Sequence, residues 1–399
     1  MSNASSGTAA FKAAKARCDI GRSALKSMRS ANEVDFWRGL ALLSIFINHI
    51  PGFTFEQLTH RNLGLSDSAE LFVFLAGWSL RRLADGVTEN FGLGRLVLRL
   101  GARAVTLYAA QILITMVAIA LIAAAALFLE NPLLLEWHNA AAVFQDPVLA
   151  HVGLVLLTHQ LGFFDILPLY VTLMLGSPAL AVIHHLQPRL VLPLSVVIYA
   201  ASLAFEINLP TWPVEGSWYF NPFAWQLIFV LGFTLAGQSS ARVAVDRHRF
   251  AFRAGGAVLL AMGLVLVKTG WSPDPTRVPW PPLFFIFDKT YATPARLLHF
   301  LALVAAFGGT FFLAARYLGP VARFFSMLGR NSLNVFCVGS VLSIAAQILR
   351  FWLGGAIVVD FAILLAGVAV LGSTAWLSEL RARLQERSSR ASSSVPAPA

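Results

Sequence analysis

Apolar residues gather in runs close to the length a helix needs to cross a bilayer, with polar residues, Pro, Gly and Asn between them. A hydrocarbon core about 30 Å thick takes about 20 residues rising 1.5 Å each. The pattern predicts spans at 36–52, 67–84, 104–129, 164–186, 190–207, 220–237, 251–269, 295–315, 327–348 and 357–378. Turn signals separate them, among them Asn131-Pro132, Pro188, Pro210 to Pro213, Pro273 to Pro282 and Gly319-Pro320. The stretch 148–162 reads as an interfacial or re-entrant helix ahead of the fourth span. The expected class is an all-α polytopic integral membrane protein of about ten transmembrane helices. No internal repeat is visible, which weakens an inverted-repeat transporter reading.

Composition strengthens this picture. Of 399 residues, 57% are apolar and only 13% charged, where a soluble protein carries about a quarter charged. The 31 Phe and 10 Trp suit lipid-facing surfaces and interfacial belts. A net charge of +10 raises nucleic acid as a partner, but the basic residues are scattered between apolar runs, so they speak for topology instead. Cys18 and Cys337, in a basic tail and an apolar span, argue for neither a disulfide framework nor a metal site. Residues 1–32 are basic and Ala/Ser-rich without a signal-peptide core and read as a flexible cytoplasmic tail. Residues 33–380 form the membrane domain, and 381–399 read as a disordered cytoplasmic tail.

Charge also orients the chain. With the N-terminus inside, the inner segments hold 24 of the 30 Lys and Arg, and the outer ones keep Arg61, Lys268, Arg277, Lys289, Arg296 and Arg350. Both termini are therefore expected in the cytoplasm.

Candidate chemistry concentrates in the first two spans. Arg38 and His49 lie eleven residues apart, three helical turns plus about 20°, hence on one face and roughly 16 Å apart. Glu70 and Arg81 repeat that spacing in the second span. The hairpin so formed has arginines at its inner end and His49, Asp67 and Glu70 at its outer end. Ionisable groups at membrane depth are costly and turn toward partners or a wet cavity. A histidine beside a carboxylate is a general-base arrangement. Blander readings stand beside each: snorkelling anchors for Arg38 and Arg81, a capping box for Asp67-x-x-Glu70, and a helix-end histidine for His49.

This hairpin resembles the OpgC family and, more remotely, the acyltransferase-3 superfamily of membrane O-acyltransferases. The residues carrying the likeness run from Asp35-Phe36-Trp37-Arg38-Gly39-Leu40 to Asn48-His49-Ile50-Pro51-Gly52, and from Asn62 to Trp78. Further matches are Phe164-Asp165-Ile166-Leu167-Pro168-Leu169-Tyr170, Asn221-Pro222-Phe223-Ala224-Trp225-Gln226 and Leu328-Gly329-Arg330-Asn331-Ser332-Leu333. Departures are small: Trp37 where a second Phe is usual and Trp78 where Tyr is common. The resemblance implies a bacterial inner-membrane enzyme that moves an acyl group, succinyl in the named members, from cytoplasmic acyl-CoA to a periplasmic glucan. It gives His49 the catalytic role and Arg38 a donor-binding or structural one, with no permanently bound cofactor.

The residues themselves suit such chemistry. Inner arginines (Arg38, Arg81, and Arg330 with Asn331) suit an anionic nucleotide donor. His49 with Glu70 and Asp67 suits deprotonation of a sugar hydroxyl, and the oxyanion stabiliser is left among Asn48, Gln226 and a backbone amide. Polar groups at the outer ends of later spans, Asp165, Trp225, Gln226 and His299, are acceptor-site candidates. Against them stand a helix cap for Asp165, the aromatic belt for Trp225 and a packing role for His299. The competing function is a secondary transporter or flippase using the same intramembrane charges as a relay.

Overall fold

The computed structural model describes residues 30–237 and 247–393. Most of the basic tail, Arg242 and residues 394–399 lie outside them. Among the described residues the fold is helical throughout, with no strand beyond a single bridge between Pro210 and Ser217.

The first helix, α1 (Glu33–Asn48), starts where Asn32 accepts a hydrogen bond from the Asp35 amide at 2.9 Å, with Glu33 and Asp35 in the first turn. Both features favour a helix N-terminus, through a satisfied amide and through the helix dipole. It stops with His49 as its C-cap, two residues ahead of Pro51, which cannot continue a helix. The expected span 36–52 therefore ends earlier, and His49 sits at the helix end. The chain then turns through short 3-10 segments into α2 (Ser68–Phe91) and α3 (Leu93–Phe128). After α4 (Pro147–Val155), a short helix within the stretch read as interfacial or re-entrant, come α5 (Ile166–Leu186), α6 (Val191–Ala204) and α7 (Pro222–Ala236). Next are α8 (Arg249–Thr269), the bent pair α9 (Pro294–Phe307) and α10 (Phe311–Tyr317), α11 (Gly319–Arg330), α12 (Ser332–Trp352) and α13 (Ile357–Ser393).

Each expected span overlaps one of these helices. By length and composition five are able to cross a membrane, namely α3, α5, α8, α12 and α13, and the α9–α10 pair, bent by 48°, makes a sixth. The α6 and α7 helices are apolar but shorter, and α1 and α2 carry the charges discussed above. Two further differences from the sequence reading have a clear cause. The segment 327–348 is broken at Asn331, which leaves the helical region (φ −104°, ψ 32°), so α11 is a separate helix lying against α1. Beyond Arg381 the chain stays helical to Ser393 where a disordered tail is expected. There Glu379 pairs with Arg383 one turn on and with Arg330 across the bundle, which ties that stretch down.

Small residues set the closest contacts. A Cβ added to Gly39 of α1 would lie 1.9 Å from the Phe325 carbonyl oxygen, and one on Gly329 of α11 would lie 1.9 Å from that of Asp35. The α2–α7 contact repeats the device: Gly77 faces the Phe229 oxygen at 1.9 Å and Gly232 the Phe74 oxygen at 2.0 Å. Backbones approach this closely in membrane bundles because dispersion, and not the hydrophobic effect, drives helix association there. Arg38 donates to the Leu75 carbonyl at 3.0 Å and to the Ser79 hydroxyl, so α2 runs antiparallel to α1 and the two helices share their ends.

Substituting Gly232 by Ala is expected to lower stability by about 1–3 kcal/mol, the usual cost of overpacking. Gly101→Ala, where the new Cβ meets nothing within 4 Å, is expected to raise it by about 0.5–1 kcal/mol through helix propensity. Thermal unfolding of both variants in one detergent checks the pair.

Candidate active site

The two ends of α1 open into separate cavities. At the His49 end a cavity of about 480 Å³ is lined by Asn48, His49, Asp67, Asp165, Tyr219 and Lys289, with Arg61 and Glu215 toward its edge. Sequence reasoning brings His49, Asp67 and Asp165 to this level, and the fold gathers them.

His49 is held without a carboxylate. Its ring stacks on Phe163 with centroids 4.8 Å apart and planes at 30°. Its backbone carbonyl accepts from Gln347 Nε2 at 2.6 Å, and Gln347 Oε1 accepts from His138 Nε2, also at 2.6 Å. Burial lowers the His138 imidazole below its ordinary value, against the opposing effect of the Gln347 hydrogen bond. The buried Nδ1 of His49 has no hydrogen-bond partner among the described residues.

The expected pairing of His49 with Glu70 is corrected by this geometry. Glu70 is wholly buried and does not line the cavity. Its Oε2 accepts from the Asp67 amide at 2.9 Å while Asp67 Oδ1 accepts from the Ala69 amide at 2.8 Å. That reciprocal pattern is a capping box at the start of α2. The second oxygens of both carboxylates turn to cations far along the chain: Glu70 to Arg296 at 2.6 Å, and Asp67 to Lys289 at 2.5 Å. Arg296 also stands 3.8 Å from Asp67, so Lys289, Asp67, Arg296 and Glu70 form a neutral chain of alternating charge. Burial alone would lower the Lys289 ammonium, but Asp67, with Tyr219 and Glu70 further off, holds it above its ordinary value.

Asp165 occupies the N-cap position of α5 yet makes no side-chain bond to that helix, so the cap alternative is not realised and its carboxylate faces the His49 cavity. The other acceptor candidates fall elsewhere. Trp225 is fully buried and donates to the Lys289 and Thr290 carbonyls at 3.1 Å. Gln226 spends its amide on Ser195 between α6 and α7. His299 Nδ1 bonds the Ser66 hydroxyl at 2.8 Å, and its ring packs between Gly64 and Gly263. These are packing contacts, outside the cavity.

At the Arg38 end a cavity of about 360 Å³ is lined by Arg38, Arg99 and Arg103, with Ser79, Tyr170 and Ser332. Among the described residues no carboxylate lines it. Of the arginines expected here only Arg38 is present. Arg81 pairs with Asp85 at 2.7 Å and lies over the Phe233 ring, Arg330 pairs with Glu379 at 2.8 Å, and Asn331 donates to the Met327 carbonyl at 2.9 Å. Sequence reasoning missed Arg99 and Arg103, although a spacing of four places both on one face of α3. It missed Lys289 as a site residue too, although the charge pattern leaves only six cations for the segments expected outside.

Breaking the charge chain at one link is expected to be expensive. Arg296→Met leaves Glu70 buried and unpaired and should cost about 3–5 kcal/mol. The double variant Arg296→Met/Glu70→Leu should regain most of that, because no lone charge remains. Unfolding midpoints of the wild type and the two variants decide it.

No curated protein and no solved structure matches the chain. The sequence does match the family described as OpgC protein over residues 29–383, a stretch holding both cavities and every helix that lines them. The chain belongs to the OpgC family.

Proposed function

We propose that this chain is a ten-span inner-membrane acyltransferase with both termini in the cytoplasm. On this reading it moves an acyl group, succinyl by family analogy, from acyl-CoA at the Arg38 end to a hydroxyl of a periplasmic glucan at the His49 end. The observation that carries the reading is the pair of cavities at opposite ends of one helix, the first basic and the second holding a histidine with carboxylates. Family membership supports glucan modification, and the distribution of Lys and Arg supports the orientation.

In this scheme Arg99 and Arg103, with Arg38, bind the phosphates of the donor, since guanidinium groups match phosphate oxygens bidentately. The thin pantetheine arm reaches along α1 and presents the thioester beside His49. A glucan hydroxyl attacks the thioester carbonyl carbon while His49 takes its proton. The tetrahedral intermediate then collapses, the C–S bond breaks, and His49 returns the proton to the departing thiolate, leaving an ester on the sugar. Asn48 is the residue best placed to meet the developing oxyanion. Its Oδ1 is already engaged by Thr59 at 2.7 Å, so its N–H groups are what it has left to offer. Asp165, unused by its own helix, accepts from a neighbouring sugar hydroxyl.

Mass spectrometry of periplasmic glucans from cells with and without the gene is the direct test, and loss of an acyl substituent is the expected result. His49→Ala in the purified enzyme should lower turnover by about 10²–10⁴-fold at unchanged protein level, as for removal of a general base. Arg99→Ala and Arg103→Ala should each raise the donor KM by roughly tenfold with kcat little changed. Full glucan substitution by His49→Ala would remove the catalytic assignment.

A further inference from the structure

A second cavity stands against the His49 cavity and has no part in the chemistry above. Its volume is about 560 Å³, and it is lined by Trp137, His138, Gln347, Arg350, Phe351 and the Gly354-Gly355 turn, with Pro51. The two cavities share a wall only a few side chains thick. His49 and Phe163 face one side, and His138 and Gln347 face the other. The contacts through it are the 2.6 Å bonds of Gln347 and a 5.1 Å packing of the His138 ring on Phe163. His138 and Asn139 both adopt left-handed backbone angles (φ 56° and 64°), and Asn139 lines the first cavity while His138 lines the second. That dipeptide is therefore the sill between them.

The lining chemistry is specific. Trp137 and Phe351 offer flat apolar faces, packed edge to face at 5.6 Å. Beside them lie planar polar groups, the Gln347 amide, the His138 imidazole and the Arg350 guanidinium. Arg350 is immobilised by Asp360 at 2.8 Å and by the Pro51 and Gly52 carbonyls. A sugar ring, apolar on its faces and ringed by hydroxyls, is complementary to aromatic faces bordered by planar donors and acceptors. The lining is mostly apolar, and its polar groups, gathered on His138, Gln347 and Arg350, are what favour a sugar over a lipid chain.

We propose that this second cavity is a carbohydrate subsite that binds the glucose residues next to the one being acylated, so that the acceptor lies across the His138–Asn139 sill. This rests on the reading of the acceptor as a glucan. A polymer whose reacting residue fills the first cavity must continue somewhere, and the cavity on the other side of the His138–Asn139 dipeptide is the neighbouring space.

The test uses the purified full chain in lipid nanodiscs, with glucose and glucose oligomers of increasing length as probes. Calorimetric titration without donor should show affinity rising from glucose to the oligomers. Trp137→Ala should weaken oligomer binding by about tenfold and collapse the oligomer-to-glucose ratio toward one, while Trp137→Phe keeps most of it. A ratio unchanged in Trp137→Ala, or no length dependence in the wild type, as a lipid-filled cavity would give, overturns the subsite. So does an equal loss for glucose and oligomers in Trp137→Ala, which would mean that Trp137 only supports the wall behind His49. Repeating the series with succinyl-CoA separates the two readings. Length-dependent binding without acyl transfer upholds the subsite and sinks the acyltransferase, whereas transfer without length dependence does the reverse.

Discussion

A carboxylate fully removed from solvent has to be neutralised where it stands, and at the start of α2 that carboxylate is Glu70. The cost of an unpaired buried charge exceeds that of most other single defects in a fold. Arg296, at the start of α9, answers it, and the alternation continues through Asp67 to Lys289. The consequence is architectural. The start of α9 is fixed against the start of α2, and the loop before α9 lies over the His49 cavity with Lys289 at its edge. Asp67 serves three neighbours at once: it caps α2, pairs with Lys289 and helps line the cavity. The site is therefore shaped by the same ions that join the helices.

The opposite end is organised by close packing instead. Gly39 and Gly329 let α1 and α11 meet backbone to backbone, and Gly77 and Gly232 do the same for α2 and α7. Neither contact leaves room for a side chain, so α1, which bears Arg38 and ends at His49, and α2 beside it have little freedom to slide. Arg38 adds bonds to the α2 backbone and to Ser79. A guanidinium so restrained keeps its orientation whether or not an anion is present.

The helical segments were legible in the sequence because burial in lipid demands long apolar runs, and those runs survive local irregularity. Breaks inside polar-rich stretches were less so. Asn331 divides α11 from α12 through backbone angles that composition does not encode, and the helix past Arg381 is held by Glu379, whose partner Arg330 lies 49 residues away. The site divides in the same manner. His49, Arg38 and Asp67 stood out because ionisable groups are rare in such surroundings, and the fold sets all three on cavities. Which partner each would choose was hidden. Glu70 finds Arg296 at a separation of 226 residues, and no local spacing rule reaches that far. Arg38, Arg81 and Arg330 all have an acid to pair with, Asp35, Asp85 and Glu379, so pairing does not tell them apart; only Arg38 also borders a cavity, beside Arg99 and Arg103.

The rigidity of α1 has one more consequence. A helix has a fixed rise per residue, and eleven residues from Arg38 to His49 set roughly 16 Å between the two ends of the site. Pinned by α11 on one side and by Arg38 to α2, that length does not adjust to its ligand. The helix then works as a ruler. If the proposed transfer holds, a carrier is selected by the distance between its charged head and its reactive carbon, before any contact with the acyl group itself. An activated acyl joined directly to a phosphate, as in a mixed anhydride, is too short to reach both ends, however good a leaving group it carries. Under the proposed reaction the interior of the bundle is a molecular gauge for the donor, and its setting is the number of turns in a single helix.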